Sequence, residues 1–523
     1  MDFPYASQRM PVFARNVVAT SQALAAQAGL NMMRKGGNAV DAALAAAITL
    51  TVVEPTSNGI GSDAFAIVCH ENRLFGLNGS GRSPRSWSFN RYAGRKAMPV
   101  LGWDAVTVPG AVSVWSALSK RFGKLAFTEL FEPAIDYAET GFHVSPITAA
   151  RWAEAQKVYR DFADFAKIFL PTGRAPEAGE LFRCPPQAET LAEIAATRGE
   201  SFYRGKLAER ITAYAAATGG ALSKEDLDEH QAEWVHTISL KYRNIRLHEI
   251  PPNGQGLTAL IALGLLRHRD IANYAPDSPD SIHLQIEAMK IAFAEAHRHI
   301  ADPLCMDIDP HDLLDDAFLE RRAREINMDR ARFPESELPI EKGTVYLCAA
   351  DRDGLMVSFI QSNFWGFGSG IVDPQTGISF QNRGLGFTLQ HGHPNCVAGG
   401  KRPYHTIIPA FVTQNSLPLM SFGVMGGHMQ PQGHVQMMLR IFAYGQNPQA
   451  ASDAPRWQVA EDKKVAFERG FDKRTIRELK QRGHKIITDA PPWLFGGAQL
   501  ILKTPNGYCA ASDHRKDGQA VGF

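Results

Sequence analysis

The sequence of 523 residues predicts a mixed α/β fold with a large helical portion. Hydrophobic residues make up 45% of the chain and charged residues 21%, which is the balance of a soluble globular protein with a sizeable core. The pattern is mainly helical over residues 115–319 and becomes strand-like after Gly343-Thr344. The prediction of a mixed fold rests on these two residue patterns, one helical and one strand-like, within one chain.

Two helices rich in small residues are predicted near the N-terminus. Thr20 and Ser21 are expected to cap the first helix, over 23–35, which a pair of glycines ends. The second helix, AVDAALAAAITLTVV, starts after Asn38 and stops at a Glu-Pro pair. The small side chains on both helices favour close helix packing.

A charged segment precedes the strand-like part of the chain. Residues 321–342 (RRAREINMDRARFPESELPIEK) are nearly free of apolar runs, which predicts an exposed, flexible connector. Residues 345–350 and 355–361 predict two strands, and the Asp-Arg-Asp-Gly sequence between them is a strong hairpin signal. A further helix is predicted over 433–444, and the Pro-Asn-Gly sequence at 505–507 predicts a second hairpin.

The charges of the chain are balanced, with 55 Lys and Arg residues against 54 Asp and Glu residues. No long run of one sign occurs, so nucleic acid and anionic membrane surfaces are not expected partners. No stretch reaches the ~20 apolar residues of a membrane span, and the N-terminal segment lacks the features of a secretion signal. We expect a cytoplasmic protein whose partners are a small molecule and further copies of itself, as a homodimer or a higher oligomer.

Cofactors and metal ions are not expected. The six cysteines are scattered without a CxxC pair, which favours reduced structural thiols over a disulfide framework or a zinc site. His391 and His393 are close in sequence, but no third close ligand accompanies them.

Gly343-Thr344 is the candidate for chemistry. A threonine hydroxyl is a poor nucleophile unless a base takes its proton. If the chain is cut before Thr344, the new α-amine lies beside Oγ1 and titrates near ~8, so one residue supplies both nucleophile and base. Gly343 would help the cut, because no Cβ hinders the approach of Thr344 Oγ1 to the preceding carbonyl. On its own, a Gly-Thr pair before a strand is a weak signal.

Longer motifs give this pair a context. The chain resembles the γ-glutamyltransferase family over nearly its whole length, in GGNAVDAALAAAITLTVVEPTSNGIGSDAF (36–65), AVTVPGAV (105–112), FGSGIV (367–372), RPYHTIIP (402–409), GVMGGH (423–428), DAPRW (453–457) and SDHRKDG (512–518). The resemblance implies a four-layer αββα sandwich of the N-terminal-nucleophile hydrolase type. It also implies autocleavage into a large chain, residues 1–343, and a small chain, residues 344–523, which together form one intertwined domain. The chemistry implied is amide cleavage through an acyl-threonine.

The resemblance carries four catalytic residues onto this chain. Thr344 matches the family's nucleophile, and Ser362 takes the place of a family threonine that hydrogen-bonds the nucleophile and its amine. Gly426 and Gly427 match a glycine pair whose backbone N–H groups form the oxyanion hole. Without the resemblance, Ser362 would be interpreted as a strand residue whose hydroxyl group bonds to the backbone, and the two glycines as an ordinary turn.

The residues that bind the α-amine and α-carboxylate of a glutamate substrate in the family are largely missing here. The acidic residue that holds the α-amine aligns with Gly386, and a family asparagine aligns with Phe364. A family Ser-Ser pair is replaced by His405-Thr406. The family arginine that binds the α-carboxylate aligns with Ser80.

Basic and hydrogen-bonding groups are present instead. We expect Arg383, His405, Thr406, His428 and Arg82 to bind the substrate, because they could surround a small anion. Each has a structural alternative: a histidine near a strand is often a satisfied core group, and Arg82 could lie in a solvated loop.

The predicted pocket has cationic groups but lacks the acidic residue that holds the α-amine in the family. This composition favours a short acid amide without an α-amine as the substrate. Within the family, the chain most resembles the branch that hydrolyses oxamate in purine-ring breakdown, so the implied reaction is oxamate to oxalate plus ammonia. The alternatives are a γ-glutamyl hydrolase or transferase with a rebuilt pocket, and an acylase for glutaryl-type side chains. A non-catalytic relative is the alternative from another class, but the retention of Thr344, Ser362 and the glycine pair counts against it.

Overall fold

The chain folds into four layers, two sheets face to face with helices on both outer sides. A computed structural model describes residues 8–332, 343–460 and 464–523. Its strands are β1 Val12–Ala14, β2 Val17–Thr20, β3 Asp63–His70, β4 Arg73–Asn78, β5 Phe142–His143, β6 Leu181–Phe182, β7 Glu233–Val235, β8 Ile238–Tyr242, β9 Ile245–Glu249, β10 Val345–Ala350, β11 Met356–Ser362, β12 Val372–Asp373, β13 Ile378–Ser379, β14 Ala410–Gln414, β15 Leu417–Met425, β16 Trp457–Val459, β17 Lys464–Phe467, β18 Lys485–Ile487, β19 Gly497–Thr504, β20 Gly507–Ser512 and β21 Gln519–Gly522.

The helices of these residues cover both outer faces. They are α1 Ala23–Arg34, α2 Ala39–Val53, α3 Ala111–Phe122, α4 Glu132–Thr140, α5 Pro146–Tyr159, α6 Ala163–Phe169, α7 Pro185–Thr197, α8 Glu200–Arg204, α9 Lys206–Thr218, α10 Lys224–Asp228, α11 Gly256–Arg267, α12 Pro279–His299, α13 Asp316–Arg324, α14 Met429–Met438, α15 Pro448–Asp453 and α16 Lys473–Gln481. None of the helices in the described part of the chain is both long and apolar enough to cross a membrane.

Both large sheets are antiparallel and seven-stranded. Sheet A has the order β1-β20-β19-β15-β14-β9-β8, and sheet B has the order β21-β2-β10-β11-β3-β4-β7. Each sheet contains strands from both sides of residue 343. The two parts of the chain are therefore interleaved within each sheet.

Three apolar cores hold the four layers together. Helices α1 and α2 pack on sheet B, and α11 and α14 pack on sheet A. The middle core lies between the sheets and contains Phe65, Tyr346, Ile360 and Phe411, all fully buried. This arrangement confirms the predicted αββα sandwich with its large helical portion.

The first two helices lie close to their predicted bounds, but the cap of α1 differs. Gln22, not Thr20 or Ser21, caps α1, because its side-chain oxygen accepts from the first free backbone N–H groups. Thr20 belongs to β2, and Ser21 Oγ donates to Glu54 at the end of α2. Helix α2 starts after Asn38 as predicted, and Asn38 caps it in a capping box.

The prediction of an exposed connector is wrong for its first residues. Helix α13 extends to Arg324, and Leu319, Ala323 and Ile326 are buried against α11 and its neighbours. Leu319 and Ala323 lie one turn apart on α13, and Ile326 follows just after its end, so the abundant charges obscure a sparse apolar spacing. The remainder of the predicted connector, residues 333–342, lies outside the described residues.

The predicted hairpins are confirmed. β10 and β11 pair from Val345↔Gln361 to Ala350↔Met356, and β19 pairs with β20 through Thr504↔Gly507. The predicted helix at 433–444 begins earlier, as α14, and continues into a single π-helical turn, Leu439–Ala443.

Asp351 joins the β10–β11 turn to the start of α2. It is 4% exposed, and its Oδ1 accepts from the backbone N–H groups of Asp353 and Leu355. Its Oδ2 accepts from the N–H of Ala39, the first residue of α2, at 2.9 Å. One carboxylate thus satisfies three donors from two elements.

We predict that Asp351→Ala lowers the free energy of unfolding by about 2–3 kcal/mol, because three backbone N–H groups, two of them buried, lose their acceptor. Asp353→Ala in the same turn is the matched control, since its side chain is 65% exposed and should change stability by less than about 0.5 kcal/mol. Urea unfolding of both variants measures the difference. Equal effects would contradict the assigned role.

Candidate functional site

Thr344 lies immediately before β10 and is 1% exposed. Its Oγ1 is 2.5 Å from the carbonyl oxygen of Gly343 and 3.2 Å from Ser362 Oγ. Ser362 Oγ is 3.1 Å from the same carbonyl oxygen and accepts from the N–H of Phe364 at 2.8 Å. The pairing of β10 with β11 therefore brings two hydroxyl groups to one peptide bond.

Gly343 has a backbone conformation that suits only glycine. Its φ is +105°, and a Cβ there would lie 2.7 Å from the backbone nitrogen of Gly366. The peptide bond before Thr344 thus follows a left-handed backbone conformation that a larger residue would disturb.

Gly426 and Gly427 form the loop between β15 and α14. Their φ values are +120° and +57°, and their N–H groups have no acceptor among the residues that the structure describes. The loop packs against Gly496, and helix α14 starts two residues after Gly427. Two N–H groups beside a helix N-terminus give the loop a positive potential.

Arg383 is buried close to Ser362. Its guanidinium carbon lies 4.5 Å above the ring of Phe364, two residues after Ser362. Its Nη1 donates to Thr406 Oγ1 at 2.7 Å, and both residues are 1% exposed. Arg383 and Thr406, each predicted to bind the substrate, thus contact each other, and Arg383 contacts the residue two positions after Ser362.

His405 contacts Asp63, a residue that the sequence analysis did not single out. Asp63 pairs with Ser362 across β3 and β11, and its Oδ2 accepts from His405 Nε2 at 3.0 Å. The N–H of Ile407 points to His405 Nδ1, and the ring stacks on Phe65. Both nitrogens of His405 are therefore engaged within the protein.

The charge states of this pair follow from burial. Burial first, and then Arg383 and Arg402, lower the pKa of His405 well below its ordinary value, so its ring is neutral. Burial raises the pKa of Asp63 to about 7, although Arg383 and the N–H of Gly110 favour its charged form. The contact is a hydrogen bond from a neutral imidazole. An acidic residue at the start of a mostly apolar strand sequence, DAFAIVCH, was the available sequence signal for Asp63.

His428 directly follows the glycine pair and precedes α14. Its Nδ1 is 3.1 Å from Gln255 Oε1, and its ring packs against Phe293, His297 and Tyr404. Burial, with a smaller effect from His297, lowers the pKa of His428 well below its ordinary value. The ring is therefore neutral and part of an aromatic cluster.

Arg82 is turned away from the hydroxyl groups. Its guanidinium donates to Asp302 Oδ2 at 2.7 Å and to the carbonyl oxygen of Gly400. It lines a cleft of about 390 Å³ with Arg402 and His230. The structure connects Arg383, His405 and Thr406 to the surroundings of Ser362 through Phe364 and Asp63, but it places Arg82 in this separate cleft.

The two histidines close in sequence have different surroundings. His393 contacts the carbonyl oxygen of His297 and accepts from the N–H of Asn395, whereas the ring of His391 lies against Phe89. They do not form a pair of ligands.

A different set could offer metal ligands. Atoms of buried His283, Glu287 and His484 lie within 4.8 Å of one another. These atoms already form a hydrogen-bonded network, because His283 Nδ1 contacts His484 Nε2 at 2.8 Å and Lys290 Nζ donates to Glu287 at 2.8 Å. Since Lys290 Nζ is also 3.4 Å from His484 Nδ1, a metal ion would compete with the ammonium group for this place.

Comparison with known proteins agrees with this fold. A family model described as Gamma-glutamyltranspeptidase matches residues 25–523. The Glutathione hydrolase-like YwrD proenzyme of Bacillus subtilis is 36% identical over 520 residues, which cover 97% of this chain and 98% of the relative. The Oxamate amidohydrolase proenzyme of Klebsiella pneumoniae is 35% identical, with 96% and 97% covered.

A solved structure is similar over the full length. The crystal structure of cephalosporin acylase from Bacillus halodurans has a TM-score of 0.96 and 47% identity, and the match covers 100% of this chain and 98% of that one. The predicted fold class and the predicted resemblance are both confirmed by these matches.

We predict that Asp63→Asn becomes more stable relative to the wild type as the pH rises from about 4 to about 7. The carboxyl group has a pKa of about 7 in the folded state, above its usual value, so the folded protein keeps a proton that the unfolded chain loses. The wild type therefore loses stability through this interval, and the difference levels off above it. Urea unfolding of both proteins across this range measures the trend, and a difference that shrinks with rising pH would contradict the raised pKa.

Proposed function

We propose that this chain, which belongs to the gamma-glutamyltranspeptidase family and is an N-terminal-nucleophile amide hydrolase, cuts itself before Thr344 and then hydrolyses a small carboxylate-bearing amide. The observation that carries the proposal is the approach of Thr344 Oγ1 and Ser362 Oγ to the carbonyl group of Gly343. The hydroxyl group of Thr344 attacks this carbonyl carbon, and the ester that forms is hydrolysed. The products are a large chain, residues 1–343, and a small chain, residues 344–523.

After the cut, the α-amine of Thr344 acts as the base for its own hydroxyl group. Thr344 Oγ1 attacks the substrate amide, ammonia leaves with a proton from the amine, and water hydrolyses the acyl-threonine. Ser362 orients Oγ1. Gly426 and Gly427 donate their N–H groups to the oxyanion, and each such donor contributes ~3 kcal/mol to transition-state stabilisation.

Oxamate is the proposed substrate, with Arg383 as the group that faces its carboxylate. Arg383 stacks on Phe364 beside Ser362, and Thr406 orients its guanidinium. At position 386, where family members hold an amine with an acid, a side chain would collide with the carbonyl oxygen of Tyr404. The pocket therefore supplies a cation for an anion and has no room at Gly386 for an acid that could hold an amine. The 35% identity to an oxamate amidohydrolase supports the same choice.

A second candidate is the hydrolysis of the acyl side chain of a cephalosporin. It is favoured by the 47% identity and the TM-score of 0.96 with the Bacillus halodurans acylase. A glutaryl chain also ends in a carboxylate, so Arg383 could face it as well. The γ-glutamyl compounds form the third class to be compared, because of the YwrD relative.

We predict that the purified protein contains a light fragment whose first residue is Thr344, and that Thr344→Ala stays uncut because it lacks the nucleophile. Thr344→Ser should still be cut, since it keeps a hydroxyl group. Thr413→Ala, which removes a hydroxyl group that contacts His248 in sheet A, is the matched control and should be cut normally. Intact-mass spectrometry and N-terminal sequencing identify the fragments, and a light fragment that starts elsewhere would overturn the nucleophile assignment.

We predict that kcat/KM for oxamate exceeds kcat/KM for a γ-glutamyl anilide by roughly tenfold or more, which needs ~1.4 kcal/mol of transition-state discrimination. An α-amine would lose its water without gaining a charged partner, whereas a compact anion would gain charge-assisted bonds. Release of ammonia or of aniline measures the two rates, and a glutaryl-cephalosporin is assayed beside them.

Arg383→Ala should remove most of this preference, and Arg383→Lys should keep part of it, because lysine keeps the charge without the planar fork. Arg440→Ala is the matched control: Arg440 is also buried, but it pairs with Asp277. Faster turnover of the γ-glutamyl anilide would refute the substrate while leaving the nucleophile assignment intact. Preferential turnover of the cephalosporin would favour the second candidate.

A further inference from the structure

Gln255 is a buried side chain that contacts several parts of the site. It immediately precedes α11 and has no exposed surface. Its Nε2 donates to the carbonyl oxygen of Gly427 at 2.9 Å and to that of Thr406 at 2.5 Å. Its Oε1 accepts from Tyr404 Oη at 2.9 Å and contacts His428 Nδ1 at 3.1 Å.

The orientation of this carboxamide is fixed by its neighbours. Two carbonyl oxygens accept only, so the NH₂ group must face Gly427 and Thr406. The oxygen of the carboxamide also accepts only, so His428 must carry its proton on Nδ1. Both hydrogens of Gln255 and its carbonyl oxygen are therefore used, and no other arrangement satisfies all four partners.

We propose that Gln255 is a positioning residue that fixes the Gly426-Gly427 loop relative to Arg383. This inference rests on the proposed function, in which the loop forms the oxyanion hole. Gln255 holds the carbonyl group of Gly427, and this bond sets the plane of the peptide that follows the two donating N–H groups. Through Thr406, whose hydroxyl group accepts from Arg383, the same carboxamide is linked to the carboxylate pocket.

The Gly426-Gly427 loop needs a positioning residue because of its own backbone conformation. Positive φ values at two successive glycines leave the loop with little intrinsic restraint, since glycine occupies several backbone regions at similar energy. Oxyanion stabilisation requires N–H groups that already point at the developing charge. The N–H groups of Met429 and Gln430 donate to the carbonyl oxygens of Gly426 and Gly427, and the buried carboxamide adds a second donor that ties the Gly427 carbonyl group to Thr406.

The first test replaces Gln255 by Leu, which fills the volume without hydrogen bonds. Because small displacements of catalytic groups cost up to ~100-fold in rate, kcat on oxamate and on γ-glutamyl anilide should fall by ~10- to 100-fold, with a smaller change in KM. Gln436→Leu is the matched control. Gln436 is 2% exposed and donates to the carbonyl oxygen of Trp457, on the far part of α14. It should lose similar thermal stability and keep kcat within about twofold.

The second test is Gln255→Glu, whose effect depends on pH. An ionised glutamate has no hydrogen for the two carbonyl oxygens, whereas the protonated acid can donate to one of them. Burial and the two oxygens favour the protonated form. The ratio of kcat for this variant to kcat for the wild type should therefore rise as the pH falls from 8 to 5. The Gln436→Glu ratio should stay flat, so a general loss of structure would not produce the rise.

Autocleavage is followed by mass spectrometry in every variant. If a Gln255 variant stays uncut, the same pH series is applied to the rate of cleavage, in which the Gly343 carbonyl develops the negative charge. Recovery of Gln255→Glu at low pH supports the inference, and a flat ratio overturns it.

Gly427→Ala, made in parallel, distinguishes a failure of the positioning role of Gln255 from a failure of the oxyanion hole. If this variant loses kcat while the Gln255 variants keep it, Gln255 has no positioning role and the oxyanion hole stands. If Gly427→Ala keeps wild-type kcat, the assignment of the oxyanion hole is wrong, and the role proposed for Gln255 is overturned as well.

Discussion

The antiparallel pairing of β10 with β11 is the constraint on which the site depends. Thr344 directly precedes β10, and Ser362 ends β11, so the register of this hairpin decides whether their hydroxyl groups meet. Side chains alternate between the two faces of a strand, and a slip of one residue would turn Ser362 to the opposite face. Every residue of both strands is buried, which makes such a slip costly. Strand β3 continues the same ladder and brings Asp63 opposite Ser362.

Burial keeps the histidines of the site neutral, and two buried arginines add to this effect at His405. Arg383 and Arg402 both lower the pKa of His405, and burial does more than either. Asp63 is the nearby counter-charge, but its own pKa of about 7 shows how much burial opposes its ionisation. A positive charge therefore persists at Arg383 while the rings around it act as hydrogen-bonding and packing groups. This division of roles explains why the histidines could not be assigned from their chemistry alone.

The sequence predicted those features that depend on near neighbours in the chain. The β10–β11 hairpin, the start of α2 after Asn38 and the position of Thr344 before a strand all arise within short stretches, where turn chemistry and periodicity are decisive. The contact of Asp63 with His405 joins residues 342 positions apart, and that of Gln255 with Gly427 spans 172 positions. Such contacts depend on which loops meet at the edge of the sheets. The same limit applies to Arg82, whose partner Asp302 lies on a remote segment.

The interleaving of strands in both sheets affects how the cut protein unfolds and loses activity. Each sheet hydrogen-bonds strands from both sides of residue 343, so two fragments produced there would remain locked together without any covalent link. The precursor folds as one chain, whose parts meet at a high effective concentration, whereas separated fragments would have to find each other by diffusion. Heat or denaturant would therefore inactivate the cut form irreversibly even where the precursor refolds. Durability of the cut form is then governed by how slowly it opens rather than by an equilibrium between folded and unfolded states.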